Sequence, residues 1–256
     1  MTARGLLERG SPFFVIVGVL LVWQLVVAVF GVAEFVFPGP WAIAQQFVEF
    51  NGPLVEAAWK TFWVTMLGFA LSIVVGVLLG AVIGSSRAAY KALYPLMVGF
   101  NAVPKAAVVP ILVVWFGIGI GPGVLTAFLI SFFPITVNIA TGLATLEPEL
   151  EDVLRVLGAR RLDVLVKVGL PRSLPYFYGS LKVAITLAFV GTVLAEMTAG
   201  DSGIGYLMQT AGSQQRMPLA FAGLVTIGAM AMAMYELFSW VETRTTAWAH
   251  RGSQAH

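Results

Sequence analysis

Cysteine is absent from the 256 residues, so neither disulfides nor thiolate metal sites can form. Histidine occurs only at positions 250 and 256, in the C-terminal tail, so no buried imidazole is available for acid–base chemistry or metal binding. Charge is scarce: Asp, Glu, Lys and Arg make up 11% of the chain, against about 25% in soluble domains. No G-x-x-x-x-G-K-[ST] stretch occurs, which excludes a P-loop nucleotide site within the chain. No internal repeat is visible, and no cluster of catalytic residue types stands together. The sequence therefore reads as neither an enzyme nor a metalloprotein, and no metal or other cofactor is expected in the chain itself.

What remains is apolar. Hydrophobic residues account for 59% of the sequence and the mean hydropathy is +0.89. A membrane-spanning helix needs roughly 20 such residues. The runs Phe13–Phe30, Thr61–Gly84, Leu93–Phe116, Val124–Leu143, Phe177–Met197 and Leu219–Val241 qualify, and Pro104 and Pro110 predict a kink in the third. The fold class read from this pattern is all-α, a polytopic membrane protein of about six transmembrane helices. Arg4 and Arg9 precede the first run and no small-residue cleavage site follows it, so an uncleaved first span is expected rather than a signal peptide. Gly31–Lys60, rich in proline and glycine, reads as an extramembrane loop with a short helix over Trp41–Phe50. Three segments result: a first span and outer loop over 1–60, a core over 61–245, and a polar tail over 246–256.

Basic residues orient the chain. With the N-terminus in the cytoplasm, Arg4, Arg9, Arg87, Lys91, Arg155, Arg160, Arg161, Lys167, Arg172, Arg244 and Arg251 all fall inside, and only Lys60 and Arg216 lie near the outer surface. Both termini are thus expected in the cytoplasm.

The longest polar interruption, Leu146–Pro175, carries five of the fifteen basic and five of the thirteen acidic residues. Pro148 suits a first helical turn, with Glu149, Glu151 and Asp152 at its positive end. Leu150, Val153, Leu154 and Leu157 recur at amphipathic spacing, and Gly158 supplies a stop. A second short helix fits Leu162–Val168, with Pro171 and Pro175 ending it. Two amphipathic helices with a glycine corner are expected on the cytoplasmic side.

Charges inside the spans are costly and attract functional readings. Lys105 and Glu196 are candidates for a pathway or gate, as a pair or separately, with a structural ion pair or a snorkelled end as the plainer alternative. Lys182 can snorkel to the inner interface, and Glu236 reads as structural. Gly68, Ser72, Gly76, Gly80 and Gly84 form a stripe of small residues that lets another helix approach closely. It fits packing within one subunit and equally packing around a shared pathway. Gly117–Gly123 reads as a tight turn, and GDSGIG at Gly200–Gly205 opens an outer loop reaching Met217.

Asp152-Val153-Leu154, then Gly158, then Val168 and Leu170-Pro171 resemble the cytoplasmic loop of permease subunits of bacterial ABC importers, whose pattern is Glu-Ala-Ala-x3-Gly-x9-Ile-x-Leu-Pro. Gly158, Leu170 and Pro171 match outright; Asp152, Val153, Leu154 and Val168 are substitutions. Pro104–Pro110, Trp115–Gly119, Phe133-Pro134-Ile135, Ala195-Glu196 and Gly203–Leu207 extend the resemblance to the nitrate, sulfonate and taurine branch. It implies a type I importer permease in the bacterial inner membrane. It also implies that Leu150, Asp152, Val153, Leu154, Leu157, Gly158, Ala159, Val168, Leu170 and Pro171 form the loop that seats on an ATPase. Implied partners are a pair of ATPase subunits holding ATP and Mg, a second permease copy, a substrate-binding protein and the bilayer, with no nucleic acid. Cargo in this branch is small: sulfonates, taurine, nitrate, pyrimidine or riboflavin-type nutrients. An ion-coupled secondary transporter, a class marked by inverted repeats and paired broken helices, is the alternative; no internal repeat is seen and acids at mid-membrane depth are scarce.

Overall fold

The computed structural model describes residues 3–144, 156, 158, 167 and 170–246, and among these every regular element is helical. In chain order they are α1 (Ala3–Phe30), α2 (Pro40–Glu49), α3 (Asn51–Gly84), α4 (Arg87–Ala102), a 3-10 turn (Lys105–Val108), α5 (Val109–Phe116), α6 (Ile120–Ala144), α7 (Leu170–Ala199), α8 (Gly203–Ser213) and α9 (Met217–Thr245). Four of them, α3, α6, α7 and α9, are long and apolar enough to cross a membrane; α4 and α5 form a fifth, bent by 72°, and Phe14–Phe30 of α1 is a shorter apolar helix. The break between α4 and α5 has a local cause. Val103 precedes Pro104 and is held extended at φ −65°, ψ 127°, because a residue before proline is pushed out of the helical region.

Several helices begin with a proline, and one of these, Pro171, was expected to end the helix before it. Pro53 sits in the first turn of α3, Pro218 in that of α9, and Pro171 in that of α7. A missing N–H costs nothing there. Pro171 therefore belongs to the start of α7, and Pro175 lies inside that helix; neither ends a helix. The segment after Gly200, expected as a loop, contains a helix, α8, and α9 runs past the expected Val241 to Thr245.

The centre of the bundle is a seam between α3 and α6. A Cβ on Gly68 would lie 2.5 Å from Ala127 Cβ, and one on Gly80 would lie 2.7 Å from Ile139 Cβ and 2.8 Å from Thr136 O. Gly76 and Gly84 meet Ile135 and Leu143 in the same way. Between them, Ser72 Oγ lies 2.7 Å from Ser131 Oγ and 2.9 Å from the Gly68 carbonyl. The small-residue stripe thus serves packing within one chain. Phe69, Ile135, Ile139, Leu181, Ile185 and Phe189 make the core that α7 shares with this seam. Contacts at Gly84–Leu143 and Gly142–Ser173 gather the ends that flank residues 145–169; this is called the loop end below. At the far end a second cluster joins Ile43, Leu54, Ala211 and Leu219. There Gln24 of α1 accepts the Trp41 N–H at 3.1 Å, anchoring the first helix to α2.

Gly80→Val forces side-chain carbons into the α6 backbone. The expected result is a destabilisation of about 1–3 kcal/mol, the usual range for overpacking. Thermal unfolding in detergent, followed by tryptophan fluorescence, checks it. Gly179→Ala, where an added Cβ meets nothing within 4 Å, should leave the transition in place.

Candidate functional site

Glu196 ends α7 at the far end, and it is only 7% exposed. Its carboxylate accepts from two other elements. Thr61 of α3 lies with Oγ1 2.9 Å from both Oε1 and Oε2, and the Gly205 N–H donates to Oε2 at 2.8 Å. The same Thr61 hydroxyl oxygen accepts the Ile204 N–H at 2.8 Å. One turn deeper, Thr65 donates to Thr192 at 2.9 Å, so α3 and α7 are linked by two successive polar rungs. Among the described residues no cation pairs with Glu196.

Lys105 lies elsewhere. It begins the 3-10 turn at the break between α4 and α5. Its Nζ donates to the Asn101 carbonyl at 2.5 Å and to Asn101 Oδ1 at 2.6 Å, satisfying the carboxyl end of α4. A cavity of about 390 Å³ opens in the crook, walled by Phe100, Val108, Leu112, Trp115 and Phe128, with Lys105 on its lining. The expected Lys105–Glu196 pair does not form. Each group is held by nearby donors or acceptors, and they sit on separate parts of the bundle.

The other intramembrane charges also have defined places. Lys182 Nζ donates to Glu242 Oε2 at 2.6 Å, with side-chain exposures of 19% and 15%, and it lies 5.8 Å from the Tyr235 ring centroid. A part-buried ion pair between α7 and α9 thus replaces the expected snorkelling. Glu236 is exposed on α9 and has no ion pair among the described residues.

At the loop end, Leu150, Asp152, Val153, Leu154, Leu157, Ala159 and Val168 lie outside the described residues, as does the expected helix Leu162–Val168. Val156 is helical and 88% exposed. Gly158 follows in a turn at φ +86°, with open space where a Cβ would stand. Leu170 and Pro171 open α7.

This helical bundle, with a polar segment of sequence between α6 and α7, has counterparts among known proteins. Residues 72–246 match the family described as the binding-protein-dependent transport system inner membrane component. The chain belongs to that family. The permease is 32% identical over 235 residues to a probable ABC transporter permease protein of Haemophilus influenzae, covering 90% of this chain and 94% of the relative. It is 34% identical over 231 residues to the riboflavin transport system permease protein of Chloroflexus aurantiacus, covering 90% and 86%. In fold it is similar to a chain of the MetNI methionine ABC transporter in an inward-facing conformation. That likeness has a TM-score of 0.64 at 17% identity and covers 79% of this chain and 99% of the other. The protein is a multi-pass membrane component, a transporter permease and not a catalytic enzyme.

Sequence reasoning missed two parts of the permease: the capping role of Thr61 and the partner of Lys182. The first left a trace. A buried acid followed by Gly200, Gly203 and Gly205 signals close approach of backbone to a side chain. The second left none, because Lys182 and Glu242 are brought together only by the packing of α7 on α9.

Proposed function

We propose that the permease works as two copies around a two-fold axis, coupled at the loop end to a pair of ATPase subunits that hold ATP and Mg. On this reading the loop end is cytoplasmic, as the basic residues favour, and a substrate-binding protein docks at the far end. Leu150, Val153, Leu154 and Leu157 would seat in an apolar groove of the ATPase, with Gly158 setting the corner and Asp152 at the positive end of the seated helix. ATP closure draws the two loops together, the helices around the axis rock, and cargo passes inward. No group of the chain performs covalent chemistry.

The observation that carries this reading is the family match over residues 72–246. The proposed cargo is a small anionic or heteroaromatic nutrient. A relative named for riboflavin transport is 34% identical, and the branch motifs point also to sulfonates. The test is co-expression with a candidate ATPase and substrate-binding protein, purification, and reconstitution in liposomes. The expected result is a complex with two permease copies, in which loaded binding protein stimulates ATP hydrolysis and labelled riboflavin or an alkanesulfonate enters. Uptake driven by an ion gradient without ATP, or a complex with a single permease copy, would overturn it.

A further inference from the structure

Helix α8 lacks an ordinary cap. Ser202 occupies the capping position but makes no side-chain bond to the first turn. The first N–H groups of that turn go instead to other helices: Ile204 N–H to Thr61 of α3 and Gly205 N–H to Glu196 of α7. The backbone is shaped to allow this. Gly203 takes φ +92°, and a Cβ there would lie within 2.2 Å of Glu196 Oε1. A Cβ on Gly205 would lie 2.7 Å from Glu196 Cβ. The run GDSGIG is therefore glycine-rich because a carboxylate is packed into it.

The turn so held has a definite location. A cavity of about 260 Å³ lies on one side, lined in part by Trp59, Trp63 and Glu196. One of about 390 Å³ lies on the other, lined in part by Phe50, Tyr206 and Arg216. Lys60, Asp201 and Ser202 belong to both linings, so the turn between α7 and α8 is the partition between them.

We propose that Glu196 is a positioning residue for transport: with Thr61 it caps α8 from outside and fixes this partition at the far end of the permease. Its work is done by hydrogen-bond acceptors at the correct reach, not by net charge facing a cargo. That distinction sets the order of the variants. Glu196→Gln keeps the reach, an acceptor for Gly205 and a donor toward Thr61. Glu196→Asp keeps the charge but withdraws the carboxylate by about one carbon–carbon bond, roughly 1.5 Å, beyond the reach of Gly205 N–H.

The experiment measures uptake in liposomes for the assembled fraction of each variant. It is paired with a spin label at Gln209→Cys, an exposed position of α8 in a chain with no cysteine of its own. Expected are uptake within about threefold of wild type for Glu196→Gln and Thr61→Ser, and a loss of about tenfold or more for Glu196→Asp and Thr61→Val, as buried donors lose their acceptors. The label should be mobile only in the last two. An active Asp variant beside an inactive Gln variant would assign the role to charge and overturn the proposal. So would unchanged label mobility in Glu196→Asp and Thr61→Val. Failure of the whole reconstituted system with wild-type permease would instead count against the proposed ATPase coupling.

Discussion

Gly158→Val will leave the permease in the membrane and strip it of most of its affinity for the proposed ATPase partner. Gly158 is at φ +86°, and a Cβ placed there meets no neighbour within 4 Å. The substitution therefore does not collide with the bundle; its cost is all in the backbone. A side chain in the left-handed region costs about 1–2 kcal/mol, and valine, branched at Cβ, tolerates that region poorly. The chain relieves the strain by opening the corner, which turns the preceding helix away from the groove it is proposed to fill. Association should fall about tenfold, the change that about 1.4 kcal/mol produces. Gly158→Asn should fall less, since asparagine visits this region more readily. Asp152→Ala should bind the ATPase but couple poorly. Pull-down of the ATPase and substrate-stimulated hydrolysis in liposomes read both quantities. Wild-type binding and transport by the valine variant would reduce the loop to a connector.

Lys182→Met will unfold the loop end more readily than any exposed charge substitution. The Lys182–Glu242 bond is 2.6 Å long and both side chains are mostly buried. Removing the ammonium leaves the Glu242 carboxylate without its partner in an apolar bundle. Breaking a buried pair from one side costs about 3–5 kcal/mol; the residual exposure of this pair places the expectation near the lower bound, about 3 kcal/mol. Replacing both members, Lys182→Met with Glu242→Leu, should recover most of the loss, because the desolvation cost vanishes along with the attraction. Thermal unfolding of the three proteins in detergent gives the comparison. A single variant as stable as the double would mean that water already reaches Glu242. Lys60–Glu56, an exposed pair four residues apart on α3, offers the control: its loss should cost no more than about 0.5 kcal/mol.

The spans were legible because each is a long apolar run, and the break at Pro104 because proline constrains the residue before it. The stripe from Gly68 to Gly84 announced a close helix contact, although only the three-dimensional arrangement identifies α6 as the partner. Prolines misled the reading of boundaries. Pro171 looks the same in sequence whether it ends one helix or starts the next, and the difference lies in which N–H groups are left unpaired. Glu196 and Lys182 stood out as intramembrane charges, but their partners did not. Thr61 lies 135 residues from Glu196 and Glu242 lies 60 from Lys182, and nothing local records such distances. Helix α8 was obscured because its first turn, Gly203-Ile204-Gly205, is rich in glycine and reads as a loop, although Ser202 stands at the usual capping position.

The seam between α3 and α6 has a mechanical consequence. Its contacts recur every fourth residue on both sides, Gly68, Ser72, Gly76, Gly80 and Gly84 against Ala127, Ser131, Ile135, Ile139 and Leu143. Sliding one helix along the other by a single residue, about 1.5 Å, would drive bulky side chains into positions that only a glycine can fill. The two helices are geared together, and close-packed interiors offer no slack between such discrete settings. They travel as one beam. Any change in which face of the membrane is open has to be taken up at joints outside that beam, and the 72° elbow between α4 and α5 is where the chain already has one.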